Sequence, residues 1–121
     1  MAMATGEQPK GEMTAVRMYQ HGGPEALKVE RHPIPTPGPN ELLVRVQAAS
    51  VSWWDTAYRT GLIKPIPGRE SFPMPQQLGR EAAGDVVVVG SSVQQFNVGD
   101  KVVMLVNPAC GSCFYCLRKL R

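Results

Sequence analysis

LLVRVQAA, residues 42–49, is the clearest strand signal in the chain. One set of alternate positions is apolar throughout, whereas the other set includes Arg45 and Gln47. Alternation with a period of two residues is typical of a strand with one face in the core and one face toward water. The stretch therefore predicts a half-buried β-strand and sets the β character of the fold expected around it.

Further strands are predicted on both sides of this one. Residues 13–19 and 26–30 have strand-like composition and are separated by a glycine- and proline-containing turn. Residues 82–89 end in four consecutive valines, which predicts a strand buried on both faces. Residues 101–106 form another β-branched run. Strands joined by turns indicate a mostly β barrel or sandwich.

One short helix is predicted from Ser52 to Thr60. Ser52 followed three residues later by Asp55 is a capping-box pattern, and Gly61 stands where a C′ glycine commonly ends a helix. Residues 61–78 are rich in proline and predict a loop. The expected architecture is therefore β-rich with one short helix.

Composition narrows the class of protein. A length of 121 residues suits one domain, and 43% hydrophobic with 19% charged residues is ordinary for a globular chain. The formal charge is only +3 and no basic stripe carries interleaved aromatics, so nucleic acid is not an expected partner. Residues 1–12 predict a flexible polar leader without the apolar segment of a signal peptide or membrane anchor, and residues 13–121 predict the domain.

All three cysteines lie within seven residues, as Cys110, Cys113 and Cys116. The CxxCxxC spacing lets a tight turn aim the three thiolates at one metal ion, and Gly111 gives that turn its freedom. A structural zinc needs a fourth ligand, which the neighbouring sequence does not offer. A disulfide is disfavoured by the odd count, whereas unligated surface thiols remain the alternative. Clustered cysteines without a secretory signal predict the cytoplasm.

Several motifs then occur in an order that resembles the N-terminal catalytic domain of the medium-chain dehydrogenase/reductase family, the zinc-type alcohol dehydrogenases and quinone oxidoreductases. The motifs are Gly22-Gly23-Pro24-Glu25, Pro37-Gly38-Pro39-Asn40-Glu41, Leu43-Val44-Arg45-Val46, Gly79-Arg80-Glu81-Ala82-Ala83-Gly84 and Val98-Gly99-Asp100-Lys101-Val102, followed by the cysteine cluster. The resemblance spans residues 13–121 and implies a GroES-like barrel.

In that family a Rossmann domain that binds NAD(P) follows the barrel. This chain contains no GxGxxG turn, so the resemblance implies a truncated front part of an enzyme that lacks the Rossmann domain and is inactive alone. The implied partners are a small-molecule substrate and the missing Rossmann domain, with a homo-oligomer of the parent also allowed and no membrane involved. The parent reaction would be hydride transfer to or from a carbonyl, quinone or activated alkene.

The resemblance implies a structural zinc site but no catalytic one. The family's zinc alcohol dehydrogenases carry catalytic-zinc ligands, a cysteine and a histidine, at the positions of Ser52 and Arg80, and a histidine and a relay serine at Trp53 and Trp54. A serine hydroxyl is a poor zinc ligand and an arginine is always protonated, so no catalytic zinc is expected, as in quinone oxidoreductases. The cysteine cluster instead resembles the zinc-containing branch, whose fourth structural cysteine would follow Arg121.

The substrate cleft is expected around Ser52, Trp53, Asp55 and Glu81. Ser52 is explained equally well as a helix cap, and Trp53 with its neighbour as core filler. Neighbours on a strand point to opposite faces, so Arg80 and Glu81 are not expected to line the cleft together, and Glu81 is favoured. Two other functions stay open: a stand-alone GroES-like interaction module, which in co-chaperonins has no cysteine cluster, and a zinc-binding adaptor.

Overall fold

The computed structural model describes residues 6–63, 73–104 and 113–118. Within these ranges the chain forms six strands and two short α-helices. The strands are β1 (Glu12–Met18), β2 (Leu27–Pro33), β3 (Leu42–Ala49), β4 (Gln76–Gln77), β5 (Ala82–Val89) and β6 (Lys101–Met104). The helices are α1 (Trp53–Thr60) and α2 (Phe114–Leu117), and a 3-10 turn at Pro24–Ala26 leads into β2.

The strands pair in two antiparallel three-stranded sheets. One sheet has the order β2-β1-β4, and Val16 of β1 lies opposite Val29 of β2. The other has the order β3-β5-β6, and Val44 of β3 lies opposite Val86 of β5. Helix α1 follows β3, and the segment from β4 to β5 passes from the first sheet to the second.

The core is small and is richest on β5. The buried side chains of β5 include Val86, Val88 and Val89. Met18 and Ala57, from other parts of the chain, are buried as well. Gly84 lies directly against the backbone carbonyl of Arg45, so a side chain there would hold β5 away from β3. Val87 and Asp85, on the other face of β5, are only half-buried. The expected burial on both faces is thus met at the end of the strand, where Val88 and Val89 are both buried, and is incomplete at Asp85 and Val87.

The β-rich fold predicted from the sequence is confirmed, and β3 has the predicted bounds. Two elements were not predicted, and β2 runs to Pro33 and not to residue 30 as expected. Residues 61–78 were expected to be loop, but Gln76–Gln77 pairs with Met18 and Arg17 as a two-residue strand too short to leave a pattern. A second helix, the four-residue α2, starts at the cysteine cluster and was not predicted.

Two boundaries stay open. β6 is described to Met104, and residues 105 and 106 of its predicted length lie outside the described residues. The leader boundary at residue 12 remains a prediction, although Glu12 already pairs with Pro33. No helix in the described part of the chain is both long enough and apolar enough to cross a membrane.

Candidate substrate site at the start of helix α1

The carboxylate of Asp55 is the centre of the site. Asp55 is 7% exposed and is the one buried charged residue in the described ranges. Its Oδ2 accepts hydrogen bonds from the backbone N–H of Ser52 at 2.7 Å and from the Ser52 hydroxyl at 3.0 Å. Its Oδ1 accepts the backbone N–H of Gly79 at 3.0 Å. Both oxygens are therefore occupied by neutral donors.

Local sequence explains the first half of this arrangement. Ser52 is the N-cap of α1 in an extended conformation, with φ −104° and ψ 168°, and Asp55 is the third residue of the helix. A carboxylate at this position can reach back to the N-cap N–H, the reciprocal half of a capping box. Gly61 ends the helix at φ 74°, a left-handed conformation that favours glycine. The predicted capping pattern is therefore confirmed at both ends.

Opposing effects set the pKa of Asp55. Burial alone raises the pKa of a carboxyl group, because it disfavours the charged form. Hydrogen bonds from Ser52 and Gly79 outweigh this effect, and the positive charge of Arg80 acts in the same direction. The pKa of Asp55 is consequently lower than usual, and the group is ionised at neutral pH.

Arg80 lies against α1. Its guanidinium carbon lies 5.6 Å from the centroid of the Tyr58 ring, within cation–π range, and its side chain is half-buried. Tyr58 follows Trp54 by four residues, so the two aromatic side chains share a helix face. Arg80 and Tyr58, which are in contact, and Trp54, one turn earlier on the helix, are hereafter called the α1 face.

Glu81 has a different neighbour. Its Oε2 accepts the hydroxyl of Ser50 at 2.7 Å, and the Ser50 N–H donates to the Glu81 carbonyl at 3.3 Å. The side chain is half-buried and lies at the end of β3. Of the two neighbours, Arg80 is the one shown against α1. The role of Glu81 at the substrate remains a prediction.

The two tryptophans are exposed. Trp53 and Trp54 are 62% and 47% exposed, and their rings meet edge to face with centroids 5.2 Å apart. The interpretation of these rings as core filler is therefore wrong, since the first turn of α1 turns them outward. Exposed aromatic rings beside a polar site are suited to contact a ligand or another domain.

The far end of α1 is held by a turn that the sequence did not connect with it. His21 and Gly22 lie against the last turn, where the Gly22 N–H donates to the Arg59 carbonyl at 2.9 Å. Arg59 Nη1 donates to the Gly22 carbonyl at 2.7 Å. His21 Nδ1 lies 2.9 Å from the Tyr58 carbonyl. The only sequence signal was the turn-forming His-Gly-Gly-Pro cluster, which gives no hint of its partner.

The predicted zinc cluster is described in part. Cys113 is the N-cap of α2, and Cys116 follows on the same helix three residues later. Residues three apart on a helix share a face, so two thiols at this spacing suit a common metal ion. Cys110 lies outside the described residues, and those described contain no group of three metal-binding side chains.

Comparison with known proteins places this geometry in a family. The alcohol dehydrogenase GroES-like domain family matches residues 38–121. A quinone oxidoreductase of Pseudomonas aeruginosa is 41% identical over 93 residues, which are 77% of this chain and 27% of that protein. An alcohol dehydrogenase of Schizosaccharomyces pombe is 38% identical over 111 residues, which are 91% of this chain and 30% of that protein.

Solved structures agree with these relatives. The crystal structure of an NAD-dependent alcohol dehydrogenase matches with a TM-score of 0.78 and 40% identity, over 89% of this chain and 30% of that one. The Escherichia coli quinone oxidoreductase complexed with NADPH matches with a TM-score of 0.67 and 38% identity, over 75% of this chain and 26% of that one. The chain thus spans about a third or less of the relatives it matches, and it belongs to the GroES-like domain family of alcohol dehydrogenases and quinone oxidoreductases, within the medium-chain dehydrogenases/reductases.

Proposed function

We propose that this chain is the substrate-binding front part of an NAD(P)-dependent oxidoreductase that works without a catalytic zinc. The reaction would transfer hydride between the nicotinamide and a carbonyl, quinone or activated alkene. The chain carries no GxGxxG turn, so a separate Rossmann domain would hold the cofactor, and the chain alone would be inactive.

One observation carries the metal-free part of the proposal. Ser52 stands where the family's zinc enzymes have a cysteine ligand, and its hydroxyl donates to Asp55. Arg80 stands where they have a histidine ligand, and its guanidinium lies over Tyr58. A hydroxyl already used in a helix cap and a permanent cation are both unsuited to bind Zn²⁺.

The chain's own residues would bind and orient the substrate. Trp53 would form an apolar wall, and Ser52 and Glu81 would present polar groups beside it. Asp55 would act through Ser52, since its carboxylate fixes both the N–H and the hydroxyl of that residue. The cofactor would supply the hydride when bound, and catalysis would depend on positioning rather than on Lewis acidity.

The test is chelator resistance in the complete polypeptide that carries this chain. NADPH and NADH oxidation would be followed with a quinone, an aldehyde and an enone, before and after treatment with a strong zinc chelator. A zinc-dependent alcohol dehydrogenase treated in parallel is the control. We expect activity to persist through the time in which the control loses it. Immediate loss that added zinc restores would refute the metal-free reaction.

A structural zinc at Cys110, Cys113 and Cys116 is the second part of the proposal. The i, i+3 spacing of the last two on α2 supports it. With three thiolates in the sequence, the isolated chain would hold the metal weakly. We expect clearly less than one zinc per chain by elemental analysis after dialysis against a mild chelator. Tight stoichiometric retention would show that the site is complete. Clustered thiols also favour the reducing cytoplasm.

A further inference from the structure

Within the described part of the chain, the side-chain N–H donors of Arg80 are not used in a hydrogen bond or an ion pair. The ion pairs described there involve three other arginines, namely Arg17, Arg31 and Arg45. No carboxylate oxygen of the described residues lies within 4.0 Å of the Arg80 guanidinium, and none of their oxygens accepts a hydrogen bond from it. A guanidinium presents five N–H donors in a planar fork that matches a carboxylate in two parallel bonds. Arg80 is therefore equipped to bind an anion.

The carboxylate of Asp55 does not satisfy this capacity. Arg80 lowers the pKa of Asp55 through space, but the two oxygens of Asp55 accept hydrogen bonds from Ser52 and Gly79. Asp55 is also buried, whereas Arg80 is only half-buried. An anion that approaches from solvent would meet the guanidinium and not the carboxylate.

The rest of the α1 face offers aromatic surface. Tyr58 lies under the guanidinium, and Trp54 stands one turn earlier on the same side of the helix. The indole of Trp54 is 47% exposed. A ring can stack on an exposed indole while a group attached to it reaches the arginine, because side chains four apart on a helix are close neighbours.

We propose that the α1 face binds a planar, conjugated carboxylate, with the carboxylate on Arg80 and the ring or double bond against Trp54. The bound carboxylate would be the substrate class of the oxidoreductase proposed above. Its role as a substrate therefore rests on that proposed function. An unsaturated or aromatic acid would place its reducible group beside Ser52, at the start of the same helix.

The experiment follows the two indole N–H resonances of the 121-residue chain by NMR, with benzoate as the probe. Trp53 and Trp54 are the only tryptophans, so Trp53→Phe and Trp54→Phe assign both signals. Benzyl alcohol tests the need for charge, and inorganic phosphate tests the need for a ring. Arg80→Gln removes the cation, Arg80→Lys keeps the charge without the fork, and Arg45→Gln is the matched control on β3.

We expect benzoate to shift the Trp54 signal saturably, with benzyl alcohol and phosphate at least tenfold weaker. Arg80→Gln should raise the benzoate Kd about tenfold or more, the value of one charge-assisted hydrogen bond, with Arg80→Lys between it and the wild type. Arg45→Gln should leave the Kd unchanged. Backbone amide dispersion shows that each variant is folded.

Three results would overturn the assignment. The first is a Trp54 signal that shows no saturable shift up to the solubility of benzoate. The second is binding of benzyl alcohol or phosphate as tight as that of benzoate. The third is an unchanged benzoate Kd in folded Arg80→Gln. The proposed function fails separately. Benzoate binding in a complete polypeptide that turns over no substrate would refute the oxidoreductase and leave the carboxylate site standing. Turnover of uncharged substrates that benzoate does not inhibit would refute only the carboxylate site.

Discussion

The two ends of helix α1 are each held by three hydrogen bonds, yet they differ in their exposure to water. At the first end the buried carboxylate of Asp55 accepts all three, from Ser52 and Gly79. At the second end the bonds join the exposed His21 and the half-buried Gly22 to the last helical turn, and no fully buried charge takes part. A donor left unpaired away from water costs about 1–3 kcal/mol, whereas an exposed donor regains water. Burial, not the number of bonds, should decide which end matters more.

The largest effect is expected from Asp55→Ala. The change leaves the N–H groups of Ser52 and Gly79 without their acceptor, and we expect a loss of about 3 kcal/mol in the free energy of unfolding, measured with urea. Asp100→Ala is the matched control, because Asp100 accepts one exposed hydrogen bond, from the Asn97 N–H at 2.8 Å. Its loss should stay below about 1 kcal/mol. Equal losses would mean that burial does not separate the two sites.

Gly61→Ala should rank second. Gly61 has φ +74°, and an added Cβ would lie 3.1 Å from Cγ of His21. The left-handed strain costs about 1 kcal/mol and the close contact adds to it, so we expect about 2 kcal/mol in all. Gly99→Ala isolates the strain, since Gly99 has φ +94° with nothing within 4 Å of the new Cβ. If both variants lose the same stability, the His21 contact contributes nothing.

Arg59→Met tests the second end directly. The substitution removes the 2.7 Å hydrogen bond to the Gly22 carbonyl but keeps an unbranched side chain of good helix propensity. Arg59 and Gly22 are half-buried, so water can replace the guanidinium in part, and the expected loss is about 0.5–1 kcal/mol by thermal or urea unfolding. A loss as large as that of Asp55→Ala would reverse the ranking of the two ends.

The smallest effect should be the acid dependence that Asp55 contributes. Its pKa in the folded chain is lowered, so its stabilising contribution is complete above the unfolded pKa of about 3.9 and is lost as the pH falls through the folded value. Protonation still leaves one oxygen as an acceptor, which makes this loss smaller than that of Asp55→Ala. Urea unfolding of the wild type and Asp55→Asn from neutral to acidic pH should show a steeper decline in the wild type. Parallel curves would assign the acid sensitivity to other carboxyl groups.

The comparison also separates what the sequence could predict from what it could not. Both caps of α1 lie within one short segment, formed by Ser52 and Asp55 at the start and by Gly61 at the end. Their sequence pattern therefore predicted the helix ends, and both are confirmed. The donor Gly79 and the turn at Gly22 are 24 and 37 residues from their partners Asp55 and Arg59. No local period or spacing specifies such a pairing, because it depends on how the two sheets place their connecting loops.

The same limit applies to the candidate site. The exposure of Trp53 and the contact of Arg80 with Tyr58 follow from how α1 lies against the segment before β5. Composition would place large aromatic residues in the core and a lone arginine in water. The family resemblance identified the positions, but the direction in which each side chain points required coordinates.

The shortness of α1 has a consequence for the order in which the molecule folds. A helix of eight residues is far below the length of about 12–15 residues at which isolated helices become even marginal in water. Its stabilising contacts close long loops, and such closures cost chain entropy before any contact is gained. The helix and the cleft beside it therefore form only together with the surrounding sheets. The site is a product of late, cooperative assembly, and a peptide spanning α1 alone would not reproduce it.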